Sequence, residues 1–275
     1  DGRTIRASGA RDVAELLRLV PGFQVEYAQA HRPVATYHGL ASDYARRLQV
    51  LVDGRTVYNP MFGGVLWSSL PLSLGDIERI EVIRAPNAAS YGPNSFFAIV
   101  NIITVHPAGE AGEASATVGQ GGQRDGFVRA AGRAGGGHYR LSWEHQEDDG
   151  FDDPTEVDYR EIDRLAGRYD LAAGADEMML KGGLELGALA QGNVEAEPDE
   201  GDTNIPREQD IRSMYAQGRW SRHLGPESRV TLQYYGNYDR WIVETRFGPH
   251  NDFAVGGLAN PRVVVDTNVR ALRHD

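Results

Sequence analysis

Leu48-Gln49-Val50-Leu51-Val52-Asp53-Gly54-Arg55-Thr56-Val57-Tyr58 decides how the first third of the chain folds. Its first five residues are mostly apolar, Asp53-Gly54 tolerates the positive φ of a tight turn, and Thr56-Val57-Tyr58 resumes an extended pattern. The segment therefore predicts a β-hairpin. Downstream, Ile77, Ile80, Val82 and Ile83 lead to Arg84, and Phe96 to Thr104 contains the β-branched run Ile99-Val100-Asn101-Ile102-Ile103-Thr104. Both are expected as central strands. Upstream, Val13, Leu16, Leu17 and Val20 recur at helical spacing until Pro21, which lacks an N–H and clashes with the preceding turn. One short helix, three extended runs and loops rich in Gly, Pro and Asn make a compact α+β unit.

Bulk properties bound the rest. The chain has 275 residues, 41% of them hydrophobic, which is enough for a real core. No apolar stretch reaches the roughly 18 residues that a membrane helix needs, so any membrane span must be a closed β-barrel. A formal net charge of −11 with clustered acids argues against a nucleic-acid partner. The absence of cysteine excludes disulfides and thiolate metal sites. Gly becomes frequent after position 108, and the domain boundary is placed at Pro107–Gly112, giving units 1–107 and 108–275.

Beyond Gly112 the pattern has period two. Tyr139, Leu141 and Trp143 alternate with His138, Arg140, Ser142 and Glu144, and Val128 and Ala130 alternate with Arg129 and Arg133. Leu180, Leu184 and Leu186 stand against Lys181 and Glu185, while Val230, Leu232, Tyr234 and Tyr238 oppose Arg229, Thr231, Gln233, Asn237 and Asp239. A soluble β-sandwich or propeller also alternates in this way. Connection lengths discriminate: Gly-rich turns at 135–137, 174–176 and 224–227 alternate with long connections near 147–160, 192–210 and 244–262. Membrane barrels have short turns on one side and long loops on the other, and about eight such strands are expected here.

Val50-Leu51-Val52-Asp53-Gly54-Arg55, Ile77 to Pro86, Ser90-Tyr91-Gly92 and Val100-Asn101-Ile102-Ile103-Thr104 resemble, in order, the signatures of the plug domain of TonB-dependent receptors. The resemblance extends back through Val13–Val25 and covers about the first 105 residues. Departures are Ala85 for the family's usual Gly, Ala98-Ile99 for Gly-Gly or Gly-Val, and His38-Gly39 for Arg-Gly; each is expected to stiffen a turn.

The resemblance implies an N-terminal α+β plug followed by an all-β antiparallel transmembrane barrel, of which about eight of about 22 strands are present. Ending at Leu272-Arg273-His274-Asp275 in mid-strand and lacking a signal peptide and a TonB box, the chain reads as a fragment. In this family plug loops face the ligand, which implicates Asn59, Phe62 and Trp67 from one loop and Asn87, Tyr91 and Asn94 from another. Asn and Tyr supply hydrogen bonds, and Phe and Trp supply flat apolar area suited to a metal chelate; packing of the plug against the barrel wall is the alternative for Tyr91 and Trp67. Arg79 and Arg84 are implied to pair with barrel glutamates and hold the plug, the alternative being a solvated strand face.

The implied activity is energised uptake at the bacterial outer membrane of a scarce ligand, with ferric siderophore the leading guess, driven by TonB–ExbB–ExbD through the absent TonB box. A surface receptor or adhesin without uptake is the alternative. No cofactor or protein-ligated metal is expected. The acidic runs Glu147, Asp148, Asp149, Asp152, Asp153, Glu156, Asp158 and Glu195, Glu197, Asp199, Glu200, Asp202 do not follow an EF-hand and read as solvated external loops, with lipopolysaccharide bridged by divalent ions as a further possibility. His31, His38 and Asp53 lack the strained nucleophile or metal spacing of an enzyme.

Overall fold

The computed structural model describes residues 1–39, 44–59, 63–84, 95–109, 112–196, 204–225, 228–244, 252–255 and 262–269, with side chains described up to Ile242. Helix α1 (Gly2–Ala7) is capped by Asp1, whose carboxylate accepts from the amides of Arg3 and Thr4. Ala14–Leu19 forms a 3₁₀ helix where an amphipathic helix is expected. Pro21 holds Val20 extended at φ −105° and ψ 121°, leaving too few residues to nucleate an α-helix. A hairpin of β1 (Phe23–Gln29) and β2 (Arg32–Tyr37) follows.

Strands β3 (Leu48–Val52) and β4 (Arg55–Thr56) form the expected hairpin, with Asp53 at φ 49° and Gly54 at φ 81° supplying its two left-handed residues. The short pair β5 (Tyr58–Asn59) and β6 (Gly64–Val65) comes next, then β7 (Ile77–Arg84) and β8 (Ala98–Thr104). Strand order is β4-β3-β8-β7, with β3 parallel to β8. Only β8 is central in the way expected of both long runs. β7 is an edge, and exposed Glu78, Arg79, Glu81 and Arg84 on it discourage further pairing. Ala98-Ile99, expected to stiffen a turn, instead lies fully buried in β8. Leu17, Leu48, Val50, Val52, Trp67, Val100 and Ile102 build the core around that sheet.

From Glu113 onward the chain makes one antiparallel sheet of sequential neighbours: β9 (Glu113–Val118), β10 (Arg124–Ala134), β11 (Gly137–Asp148), β12 (Arg160–Ala173), β13 (Asp176–Gln191), β14 (Arg207–Gly225) and β15 (Ser228–Glu244). β16 (Asp252–Val255) and β17 (Arg262–Val269) pair with opposite halves of β15 and together occupy the next strand position. Tight turns at Gly135-Gly136 and Gly174-Ala175 alternate with the long connections 149–159 and 192–206.

The register stacks outward side chains in rows. One row runs Val128, Trp143, Leu165, Leu184, Met214, Tyr238, and the next Ala130, Leu141, Gly167, Gly182, Ala216, Gly236. Below them come Gly132, Tyr139, Tyr169, Leu180, Gly218, Tyr234, and then Leu171, Met178, Trp220, Leu232. Four rows two residues apart span about 20 Å along the strands, and half a row at each edge brings the band close to the apolar height of a membrane barrel. Leu141, Leu165 and Leu180 are each more than half exposed on this face. The row toward the long connections is polar: His145, Asp163, Leu186, Arg212, Arg240. The opposite face is buried, because the N-terminal unit rests against β10 to β15 and the sheet wraps around it.

Candidate functional site

Polar side chains of the sheet's inner face grip the N-terminal unit in three places. At the end of the tight turns, Asp53 Oδ2 accepts from Lys181 Nζ and from the Thr104 hydroxyl at 2.7 Å, while its Oδ1 accepts from the Thr104 amide at 3.1 Å. The Asp53 carbonyl takes Gln217 Nε2 at 2.9 Å and Arg219 Nη2, and the Gly54 carbonyl takes Gln233 Nε2 at 3.1 Å. Three consecutive strands thus hold one two-residue turn. Burial pushes the Asp53 carboxyl up, but the Lys181 ammonium and the Thr104 hydrogen bonds outweigh it and hold the group below the usual carboxylate range.

In the row shared with Lys181 and in the next one, buried Asp76 receives the Ser142 hydroxyl and lies 3.4 Å from Arg140 Nε, while Arg140 Nη1 donates to the Val105 carbonyl at 2.6 Å. Arg55 is 2% exposed; it donates to Asn237 Oδ1 at 2.6 Å and lies 3.8 Å from the centre of the Tyr215 ring. Its Nε and Nη2 have no hydrogen-bond partner among the described residues, and they border a cavity of about 30 Å³ with Asn59, Ser69 and Asp239. That volume accommodates a water molecule bridging these groups.

At the end of the long connections, Arg160 Nη1 donates to both Asp12 oxygens at 3.0 and 3.1 Å and its Nε to Asp148 at 2.7 Å. Arg11 donates to Asp148 at 2.7 Å and, through two nitrogens, to Asp125 at 2.7 and 3.0 Å. Asp158 Oδ2 accepts from the Ala30 amide at 2.9 Å and its Oδ1 from the Phe151 amide at 3.0 Å. His31 Nε2 donates to the Ala190 carbonyl at 2.6 Å. Burial lowers the imidazole pKa, with Arg160 adding to the effect and the Ala190 bond, Asp158 and Asp148 opposing it.

The residues expected from sequence fall as follows. Asn59 is buried in β5 and donates to Asp239 Oδ2 at 3.3 Å, so it contacts the barrel wall. Trp67, expected to face a ligand, is 4% exposed inside the N-terminal core, where an apolar indole gains most from burial. Phe62, Asn87, Tyr91 and Asn94 lie outside the described residues.

Arg79 is exposed and pairs with Glu78 at 2.6 Å and Glu81 at 2.9 Å on its own strand; Arg84 is also exposed. Among the described residues the grip has both polarities: Asp12, Asp53 and Asp76 of the N-terminal unit face Arg160, Lys181 and Arg140 of the sheet, while Arg11 faces Asp125 and Asp148. Sequence reading registered Arg129, Arg140 and Lys181 as a wet face without an occupant. It also took Asp148 and Asp158 as members of a solvated run, whereas they are 7% and 2% exposed. Glu197, Asp199, Glu200 and Asp202 lie outside the described residues.

Residues 1–99 match the TonB-dependent Receptor Plug Domain family. The chain is 34% identical over 139 residues to the vitamin B12 transporter BtuB of Photobacterium profundum, covering 50% of this chain and 22% of that protein. It is 36% identical over 100 residues to the iron-regulated outer membrane virulence protein of Vibrio cholerae serotype O1, covering 34% and 15%. Among solved structures, the copper transporter OprC superposes with a TM-score of 0.69 at 16% identity, covering 95% of this chain and 41% of that one. The unliganded ferric citrate transporter FecA gives 0.65 at 20% identity, covering 86% and 39%. The fold is therefore that of a receptor plug with barrel strands wrapped around it. Residues 1–99 are thus similar to the plug of TonB-dependent receptors, and the chain spans about two-fifths of the length of these solved receptors.

Proposed function

We propose that the protein is an outer-membrane receptor that takes up a scarce metal chelate, a ferric siderophore first among them, through energy delivered by TonB–ExbB–ExbD to a segment upstream of Asp1. The observation that carries this reading is the plug itself: a folded unit held in the concave face of an apolar-backed sheet by hydrogen bonds and buried ion pairs. A plug retained mainly by polar contacts is separable, since those contacts exchange for water, whereas a continuous apolar seam would not be. Relatives named for vitamin B12 and for iron regulation support a metal-complex ligand.

In this reading residues 1–107 are the plug and 108–275 the first barrel strands, with Asn59, Phe62, Asn87, Tyr91 and Asn94 toward the ligand. Arg79 and Arg84, on the exposed edge β7, pair with glutamates of further barrel strands. Uptake of labelled ferric siderophores and cobalamin by a strain lacking the gene, with and without tonB, tests it. Loss of one uptake activity only where tonB is intact supports transport. Normal uptake of every chelate overturns it, and binding that is indifferent to tonB favours a surface receptor or adhesin.

A further inference from the structure

Arg212 of β14 stands directly opposite Arg240 of β15. Both lie on the outward face, because the flanking residues of Arg212, Ile211 and Ser213, are buried. Directly paired residues have Cα atoms about 4.5–5.5 Å apart, and like charges in such pairs destabilise a sheet. Neither guanidinium has a hydrogen bond or ion pair with any described residue. Elsewhere in the same row the charges satisfy one another, with His145 Nδ1 at 3.2 Å from Asp163 and Trp143 Nε1 donating to that same carboxylate at 3.2 Å. The nearest carboxylate along the face is Asp210, one row further from the apolar band and opposite Ile242; one such group does not neutralise two guanidinium ions.

Immediately on the apolar side of the pair lie Met214 and Tyr238, opposite each other, with Leu186 beside Arg212. Met214 and Leu186 are 40% and 41% exposed. Two unpaired cations at the border of an apolar surface complement an amphiphile with an anionic head. The forked guanidinium geometry suits phosphate oxygens better than a point charge does.

We infer that Arg212 and Arg240 form a binding site for a phosphate-bearing lipid headgroup, whose acyl chains lie along Met214, Tyr238 and Leu186. The site is at the end of the sheet that carries the long connections, so the lipid belongs to the leaflet on that side. The inference rests on the sheet being embedded in a membrane, which sedimentation of the protein with membranes after carbonate extraction tests separately.

The decisive experiment is native mass spectrometry of the protein purified from membranes in mild detergent, titrated with bisphosphorylated lipid A, with its dephosphorylated form and with inorganic phosphate. The wild type is expected to retain the phosphorylated lipid, and Arg212→Gln/Arg240→Gln to lose it by about tenfold or more. Arg212→Lys/Arg240→Lys is expected to fall between them, which keeps the test open if the glutamine variant fails to fold. Dephosphorylated lipid is expected to bind all variants alike. Equal retention of phosphorylated lipid by folded wild-type and glutamine variants overturns the site, and so does equal retention by wild type and the lysine variant if only that one folds. Displacement by inorganic phosphate at the concentration of the lipid would show a free-anion site and overturn the lipid assignment.

Discussion

Asp53 acts through different atoms in three ways. Its backbone takes the left-handed conformation that the β3–β4 turn requires, its carboxylate ties β8 to that turn through Thr104, and its carbonyl and carboxylate receive donors from two barrel strands, β13 and β14. Lys181 faces it with a side chain that is 0% exposed, against 7% for Asp53. Removing one member of a buried pair leaves the other charge without compensation, at about 3–5 kcal/mol, whereas removing both costs less than the sum. Asp53→Asn keeps the turn, so Asp53→Asn and Lys181→Met are each expected to lower unfolding stability by that amount, and the double variant by clearly less. Additive losses in thermal or denaturant unfolding would show that the two groups do not act as a pair.

Acid should separate two residues by the pH window in which each loses its contribution. Both folded pKa values are depressed, so each contribution is complete above the unfolded pKa and fades as pH falls through the folded one. For His31 the loss begins near pH ~6.5, and for Asp53 only below pH ~4. His31→Gln is expected to flatten the fall in melting temperature between pH 7 and 5 while leaving the fall below pH 4 in place. An unchanged slope between pH 7 and 5 refutes the assignment to His31.

Among the elements, those whose signal is local were readable in the sequence. The Asp53-Gly54 hairpin follows from two residue types that tolerate positive φ, and β11 from the strict alternation of Tyr139, Leu141 and Trp143 with Arg140, Ser142 and Glu144. What period two cannot convey is what covers a face. Arg140 at 1% exposure and the exposed Arg133 occupy equivalent places in the pattern, and only the plug distinguishes them. The order β4-β3-β8-β7 was hidden for a related reason, since β7 and β8 have similar β-branched runs and the parallel partner of β8 is remote in sequence.

Asp158 was hidden in an acidic run, yet it connects three elements: its own connection through Phe151, the β1–β2 turn through Ala30, and β12, which begins two residues later. The connections 149–159 and 192–196 are themselves joined by backbone bonds, Val157 amide to Gly192 carbonyl and Val194 amide to Thr155 carbonyl, each 2.8 Å. Asp158→Ala removes the charged acceptor of two partly buried amides, each bond worth about 1–2 kcal/mol. Hydrogen exchange is expected to accelerate by about tenfold at residues 149–159 and 23–37 and to stay unchanged at 98–104. Faster exchange throughout the plug would mean that Asp158 supports the whole unit and not this junction.

For the whole molecule, the two faces of one sheet differ in kind, and its inward charges are offset partly by counter-groups of the plug and partly by neighbouring strands, as Arg164 is by Glu144 and Glu185. Its outward rows make the converse demand. Leu141 is 56% exposed in a row flanked on both sides by apolar rows, opposite Ala130 and Gly167. If that row lies near the bilayer midplane, an arginine there costs about 2–4 kcal/mol, while the same charge near the interface costs about 0–1 kcal/mol. Leu141→Arg is therefore expected to lower folding stability in lipid vesicles by about 2–4 kcal/mol, and Gly126→Arg, in the polar row beside His145 and toward the long connections, by about 1 kcal/mol or less. Neither side chain points at the plug, so the difference reports depth in the membrane rather than a broken plug contact. Equal costs at the two positions would mean that the apolar rows face protein or water, and the membrane reading of the sheet would fall.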